Sequence, residues 1–412
     1  MKKILLYALL LFAIAGCKKQ EDRPAQLPDD KLTAILSTYQ KQLTGAEYGW
    51  TGYLFPDGGG AFTFTFKFDE KNRVVSMADI NQTTATTAFE SSYRLKAAMQ
   101  PSLYFDTYSY LHILADPDQG LGGYSDFEFG IQSASTDTIK LKGNVSGSEM
   151  ILVRTKQVDA GTVIAKSIAF NTSLSRASQF NYYYNLLSIA GKTYDFTLNP
   201  DEQTVNFYYA TNGTFKSYST EYAVTSNGIL LRKPFIDGDL QITEMHDLVI
   251  DVAQSKISFK AGNNTGTTTN VATPIAISLD AASALYTSGS AFTSNTGFTN
   301  AGKIDYFSLT TIPGYNYILL YPKYFSNADA MFILYGNRQY GPAFNIQLPA
   351  NGALIFAGNY ALQGTSPGTA YATSIANFRA QVLTPLGYYV FPTGKASYDL
   401  VSVADSKMWI RF

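Results

Sequence analysis

One cysteine, two histidines and a charged share of only 15% are what this 412-residue sequence has least of. A lone thiol rules out an internal disulfide framework and any zinc site built on several cysteines. Two histidines, His112 and His246, cannot furnish a multi-histidine metal centre, and neither lies beside a recognisable nucleophile turn for a Ser-His-Asp triad. No basic run or patch is present, so nucleic acid is not an expected partner. HExxH, GxSxG, Walker and dinucleotide-binding signatures are all missing, and no cofactor is expected. Long apolar runs are missing too: the longest, Ile4 to Ile14, falls short of the roughly 20 residues a membrane-spanning helix needs.

What that short run does fit is an export signal. Lys2 and Lys3 precede it and the small pair Ala15-Gly16 follows, the layout of a secretory leader over residues 1–16. The order Ile14-Ala15-Gly16-Cys17 matches the bacterial lipobox, in which the cysteine sulfur receives a diacylglycerol and becomes the new N-terminus. Cys17 is therefore read as the lipidation site, with the membrane as a partner through its acyl chains. Residues 17–30, "CKKQEDRPAQLPDD", read as a solvated tether whose mixed charges look like a tag for the outer face of the outer membrane. The expected location is the cell outer membrane, lipid-anchored. Without Lys2 and Lys3 the chain carries 29 basic against 32 acidic side chains, close to neutral.

The remainder is rich in what sheets favour: 30 Tyr and 27 Phe, with many Gly, Thr and Ser. A first helix is predicted over 29–44, where Leu32, Ile35, Leu36, Tyr39 and Leu43 share one face and Gly45 stops it. In "FTFTFKF" the alternation puts Phe62, Phe64, Phe66 and Phe68 on one side. Short strands follow, including one predicted over 110–115, spaced for an antiparallel sheet. A second helix is expected at about 174–190, with Ala177, Phe180, Tyr184 and Leu187 on one face, and strands follow again. "SSYRLKAAMQPSLYF" and "TEYAVTSNGILLRKPF" are laid out alike, as are "DTIKLKG" and "SKISFKA". The fold expected is mainly β: two similar helix-plus-meander units of curved-sheet or open-barrel form (31–157 and 158–262), then a linker or loop (263–288) and a C-terminal β domain (289–412). That last part has 23 aromatic but only four acidic side chains, with a short helix expected at 374–381.

"GWTGYLFPDGGGAFTFTFKFDEKNRVVSMADI" and "SSYRLKAAMQPSLYFDTYSYLHILADPDQG" resemble an uncharacterised family of Bacteroidota lipoproteins catalogued as a domain of unknown function. Gly49-Trp50, the Phe-rich strand and "LYFDTYSYLHILADP" carry the match, which covers most of the mature chain. The resemblance implies an accessory lipoprotein of an outer-membrane nutrient uptake system, with an outer-membrane transporter complex as partner. It says nearly nothing of activity.

Candidate site residues fall into two sets. In "FDTYSYLHILADPDQG", Asp106, His112, Asp116 and Asp118 stand close together. With Tyr108 they would make a polar pocket or, through Asp116 and Asp118, an oxygen-rich cation loop, against the plainer reading of a strand ending in an Asp-Pro turn. His246 is expected on the matching strand of the second unit. The second set is aromatic: Trp50, Tyr183 in "NYYYNLL", and Tyr315 and Tyr317 in "GYNYILLYPKYF". Aromatic platforms beside Asn and Asp hold sugars by stacking, although such residues also simply fill sheet interfaces. The function expected is non-enzymatic binding of a glycan, peptide or uptake partner. The alternatives are a lipid-anchored hydrolase of the glycoside type using paired carboxylates, or a purely structural envelope protein.

Overall fold

A computed structural model describes residues 28–97, 100–116, 124–326, 328–358 and 360–412. Cys17 and Asp118 lie outside them. The chain is mostly β, with six α-helices among the described residues.

The first eight strands close into an antiparallel barrel: β1 (Trp50–Phe55), β2 (Phe62–Phe68), β3 (Arg73–Ala78), β4 (Phe89–Ala97), β5 (Pro101–Phe105), β6 (Glu128–Ala134), β7 (Thr138–Gly143) and β8 (Glu149–Arg154). Each pairs with its sequence neighbour, and β8 returns to β1 with Trp50 opposite Arg154. Closure removes both free sheet edges, a step beyond the open form expected. The alternating phenylalanines of β2 do point inward, where the Phe64 and Phe66 rings stack with centroids 5.5 Å apart. Helix α1 (Pro28–Thr44) closes one end by burying Leu43 among them, with Ala46 of the following turn beside it, while Ile35, expected on the same face, stays exposed. Two short helices, α2 (Gln82–Thr86) and α3 (Tyr110–Ala115), follow β3 and β5.

Residues 110–115 therefore form a helix and not the predicted strand. Ser109 starts it by donating its backbone N–H to His112 Nδ1 at 3.1 Å, and Tyr110, Leu111 and Leu114 turn inward onto the barrel core. The apolar residues at i, i+1 and i+4 fit a helical turn as well as a strand, and burial of that triplet decides between them.

A second closed barrel repeats the first: β9 (Tyr184–Ile189), β10 (Lys192–Asn199), β11 (Thr204–Thr211), β12 (Thr214–Val224), β13 (Ile229–Asp237), β14 (Leu240–Asp251), β15 (Lys256–Ala261) and β16 (Asn264–Val271). Its entry helix is α4 (Val163–Leu174), followed by a 3₁₀ turn at Ser175–Gln179. The helix expected at 174–190 is thus displaced toward the N-terminus, and "YNLLSI" is strand β9, whose Leu187 and Ile189 enter the core. The paired segments noted in the sequence occupy equal places, β4–β5 against β12–β13 and β7 against β15. The histidines do not match: His246 is on β14, His112 on a helix. Residues 264–271, read from the sequence as part of a linker, supply the closing strand β16, and α5 (Ala281–Ser288) follows within the same stretch.

The two barrels pack wall to wall. Tyr53 and Phe55 of β1 meet Ala223 of β12 and Leu230 of β13, Thr63 Oγ1 donates to Val224 O at 2.9 Å, and Arg232 reaches both Glu149 and Glu221.

The C-terminal part is an antiparallel half-barrel. It comprises β17 (Phe292–Ser294), β18 (Thr299–Asn300), β19 (Tyr315–Phe325), β20 (Ala328–Tyr335), β21 (Arg338–Gln347), β22 (Ala353–Ala357), β23 (Leu362–Gly364), β24 (Tyr388–Pro392), β25 (Tyr398–Ser402) and β26 (Met408–Arg411). The order is β17-β19-β20-β21-β22-β24-β25-β26-β18, with β23 on β21. Leu285 of α5 and Ile375, Phe378 and Val382 of α6 (Ala372–Val382) fill its concave side. No helix among the described residues is long and apolar enough to cross a membrane.

Candidate functional site

The sequence-predicted residues do not converge on one place. Trp50 is wholly inside the first barrel, its indole N–H donating to Leu43 O at 3.0 Å. Tyr183 is buried between the second barrel and the C-terminal sheet, where its hydroxyl donates to Asp399 Oδ2 at 3.0 Å. Asp399 is also gripped by Arg411 through two nitrogens, each at 2.8 Å. Tyr315 packs against the C-terminal core. These residues hold elements together.

Tyr108 and His112 are brought together at the rim of the first barrel. The His112 imidazole stacks on Phe127 with centroids 4.1 Å apart and on Tyr108 at 5.4 Å, and Tyr108 is 55% exposed. Burial lowers the His112 pKa below its ordinary value. Its Nδ1 accepts the Ser109 N–H, so the neutral ring carries its proton on Nε2. Asp106 is paired with Arg94, and the Asp116 amide donates to His112 O. Among the described residues no group of three or more His, Cys, Asp or Glu side chains is placed to hold a metal ion. His246 Nδ1 lies 3.3 Å from Asp247 Oδ2, itself paired with Lys260.

The second barrel and the C-terminal sheet also border an open pocket of about 540 Å³, walled by Tyr184, Tyr389 and the strap 272–277. Asp195 of β10 pins this strap by accepting the Ile275 N–H at 2.8 Å. Its other oxygen, Oδ1, is buried with no hydrogen-bond partner, and burial pushes the carboxyl up to about 7.

A second aromatic surface, only partly foreseen, lies on the outer side of the C-terminal sheet. Ile318 and Leu320 of β19 point into the core, so Tyr317, Leu319 and Tyr321 point out. In an unbroken strand residues 321 and 324 would fall on opposite sides. Here the register shifts between Tyr321 and Phe325, and Lys323 takes the left-handed φ of 59°. That conformation is costly for a side chain with a Cβ. Asp329 on β20, buried, stabilises it by accepting the Lys323 N–H at 2.7 Å.

The bulge lays Tyr324 beside Tyr321, with ring centroids 5.3 Å apart, and over Phe332 at 5.0 Å. Gln339 Nε2 of β21 donates to the Tyr324 hydroxyl at 2.8 Å. Further along β21, Asn345 Nδ2 donates to the hydroxyl of Tyr360 at 3.0 Å. Tyr321, Tyr324, Phe325 and Tyr360 are each more than a third exposed. The result is a cluster of Tyr321, Tyr324, Phe325 and Phe332 rings with the Gln339 amide at the Tyr324 hydroxyl, and a further ring, Tyr360, held by the Asn345 amide. Of the predicted residues only Tyr317 shares this side. Sequence reasoning missed Tyr324 because period-2 alternation assigns it inward; Pro322-Lys323 within a strand was the available signal of a bulge.

A family model described as Domain of unknown function (DUF4302) matches residues 21–269. This span is more than half of the chain and takes in both barrels almost to the end of β16, so the chain belongs to that family. No curated protein matches the chain.

Proposed function

We propose that this member of the DUF4302 family is a lipid-anchored protein of the cell outer membrane. In this reading its folded body binds a nutrient or a partner of an uptake system without catalysing a reaction. The anchor rests on the lipobox ending at Cys17. The binding role rests on one observation above all: a left-handed residue, Lys323, held by a buried carboxylate, turns Tyr324 onto the same exposed side as Tyr321. Strain of this kind persists where the surrounding structure insists on it, and its product here is a ring platform edged by amides. Such a platform suits the C–H faces of a glycan or the side chains of a peptide.

The full chain, probed on glycan and peptide arrays, should show saturable binding that Tyr321→Ala combined with Tyr324→Ala weakens at least tenfold. Uniform silence on both arrays, together with no partner trapped by cross-linking on cells, overturns the binding role. Metabolic labelling with a clickable palmitate tests the anchor separately: wild type should be labelled and Cys17→Ala should not.

A further inference from the structure

The wall-to-wall contact of the two barrels leaves an open cleft of about 480 Å³, within the range of small-molecule sites. Three parts of the chain line it. The first barrel contributes Phe62 from the start of β2, and Asp79 and Asn81 from the β3–α2 turn. Helix α4 contributes Asn171, and the β10–β11 turn contributes Asp201 and Gln203.

Some of these polar atoms are already engaged. Gln203 Oε1 accepts the Ala61 N–H at 2.7 Å and so bridges the barrels. Asp79 Oδ1 accepts the Thr63 N–H, and Asn81 Oδ1 caps α2 through Thr84 N. Asn171 differs: its Oδ1 is buried without any hydrogen-bond partner. An acceptor left in that state costs free energy that a hydroxyl donor in the cleft would restore.

The charge balance narrows the ligand. Two carboxylates line the cleft, and no Lys or Arg stands among its described lining residues, so phosphates and carboxylates are repelled. Burial pushes Asp79 up to about 6, and its Oδ1 is already engaged by the Thr63 N–H. The amides offer donors and acceptors and the carboxylates acceptors for neighbouring hydroxyls. Phe62, whose ring packs inward on the first barrel's core, leaves only a part-buried apolar edge at the cleft.

We propose that the cleft between the two barrels is a binding site for a neutral mono- or disaccharide, with Asn171 and Asp201 answering its hydroxyls and the exposed edge of Phe62 an apolar side. The assignment stands apart from the aromatic side of the C-terminal sheet, which lies on different strands.

Saturation-transfer NMR on the full chain in mild detergent provides the test. The probes are glucose, galactose, mannose, xylose, maltose and cellobiose, with spermidine and a neutral tripeptide as contrasts. At least one saccharide should give a saturable signal, weakened at least tenfold by Asn171→Ala and equally by Asp201→Ala. Val145→Ala, at an exposed turn of the first barrel, should leave it unchanged. Asp201 is exposed, so its variant keeps the test decisive should Asn171→Ala fail to fold. Silence across the saccharides overturns the assignment. So does a signal that survives Asp201→Ala, one abolished by Tyr324→Ala alone, or one given only by spermidine or the tripeptide.

Discussion

Single residues show most directly what the burial of polar and aromatic groups does here. Asp195 ordinarily would titrate near 3.8, and burial holds it at about 7. Between those values the folded chain retains a proton that the unfolded chain has released. Stability from this group is therefore full below about pH 4 and is lost as pH rises through about 7, with a slope of up to about 1.4 kcal/mol per pH unit. Asp79, raised to about 6, acts in the same direction over a narrower window. Urea midpoints measured at pH 5 and pH 8 should fall for wild type and fall less for Asp195→Asn; an unchanged difference refutes the assignment. Trp50, fully enclosed and hydrogen-bonded to Leu43 O, makes a plainer case. Trp50→Ala removes the largest side chain of its core and should cost about 3–5 kcal/mol in equilibrium unfolding.

Secondary-structure elements were legible in the sequence where an apolar side repeats with one clear period. Short apolar stretches such as 110–115 and β9 were recognised as core but given the wrong type, and a strand without an apolar side was missed. The β2 alternation, helix α1 and helix α6 each carry a clean periodic signal, and each is found within two residues of its expected bounds. Strand β16 carries none, because its inward residues are Gly266 and Thr268. Gly266 stands opposite Phe259, and a Cβ there would lie 2.6 Å from that ring. The aromatic of the neighbouring strand occupies the space that a side chain of β16 would take, so the strand looks like a polar linker while completing the barrel. Gly266→Val should overpack this site and cost about 1–3 kcal/mol, read as a lower urea midpoint; no change would mean that β16 is dispensable to closure. The aromatic surface of the C-terminal sheet was half visible for a related reason. Tyr317 and the tyrosine-rich composition pointed to β19, but Tyr324 reaches its place through a backbone bulge whose stabilising partner, Asp329, sits on another strand.

At the scale of the whole molecule, three bodies are joined by polar contacts as much as by apolar ones. The second barrel is fastened to the C-terminal sheet by Tyr183, Asp399 and Arg411, and by Tyr208, whose hydroxyl donates to Pro392 O at 2.6 Å. Removing one member of a buried ion pair leaves the other uncompensated, which costs about 3–5 kcal/mol. Asp399→Ala should therefore loosen this junction, seen as faster limited proteolysis near residues 272–277, while the first barrel unfolds at its unaltered midpoint. Simultaneous loss of both barrels would show instead that the molecule is one cooperative unit.

Each barrel admits and releases its chain at a single rim, Trp50 facing Arg154 in one and Tyr184 facing Val271 in the other. Tension drawn through the polypeptide would then load one hydrogen bond at a time, like a zipper, instead of shearing a whole row together. Two such barrels in series would behave as extensible links between the amino-terminal helix and the final sheet, yielding stepwise as their closing strand pairs part.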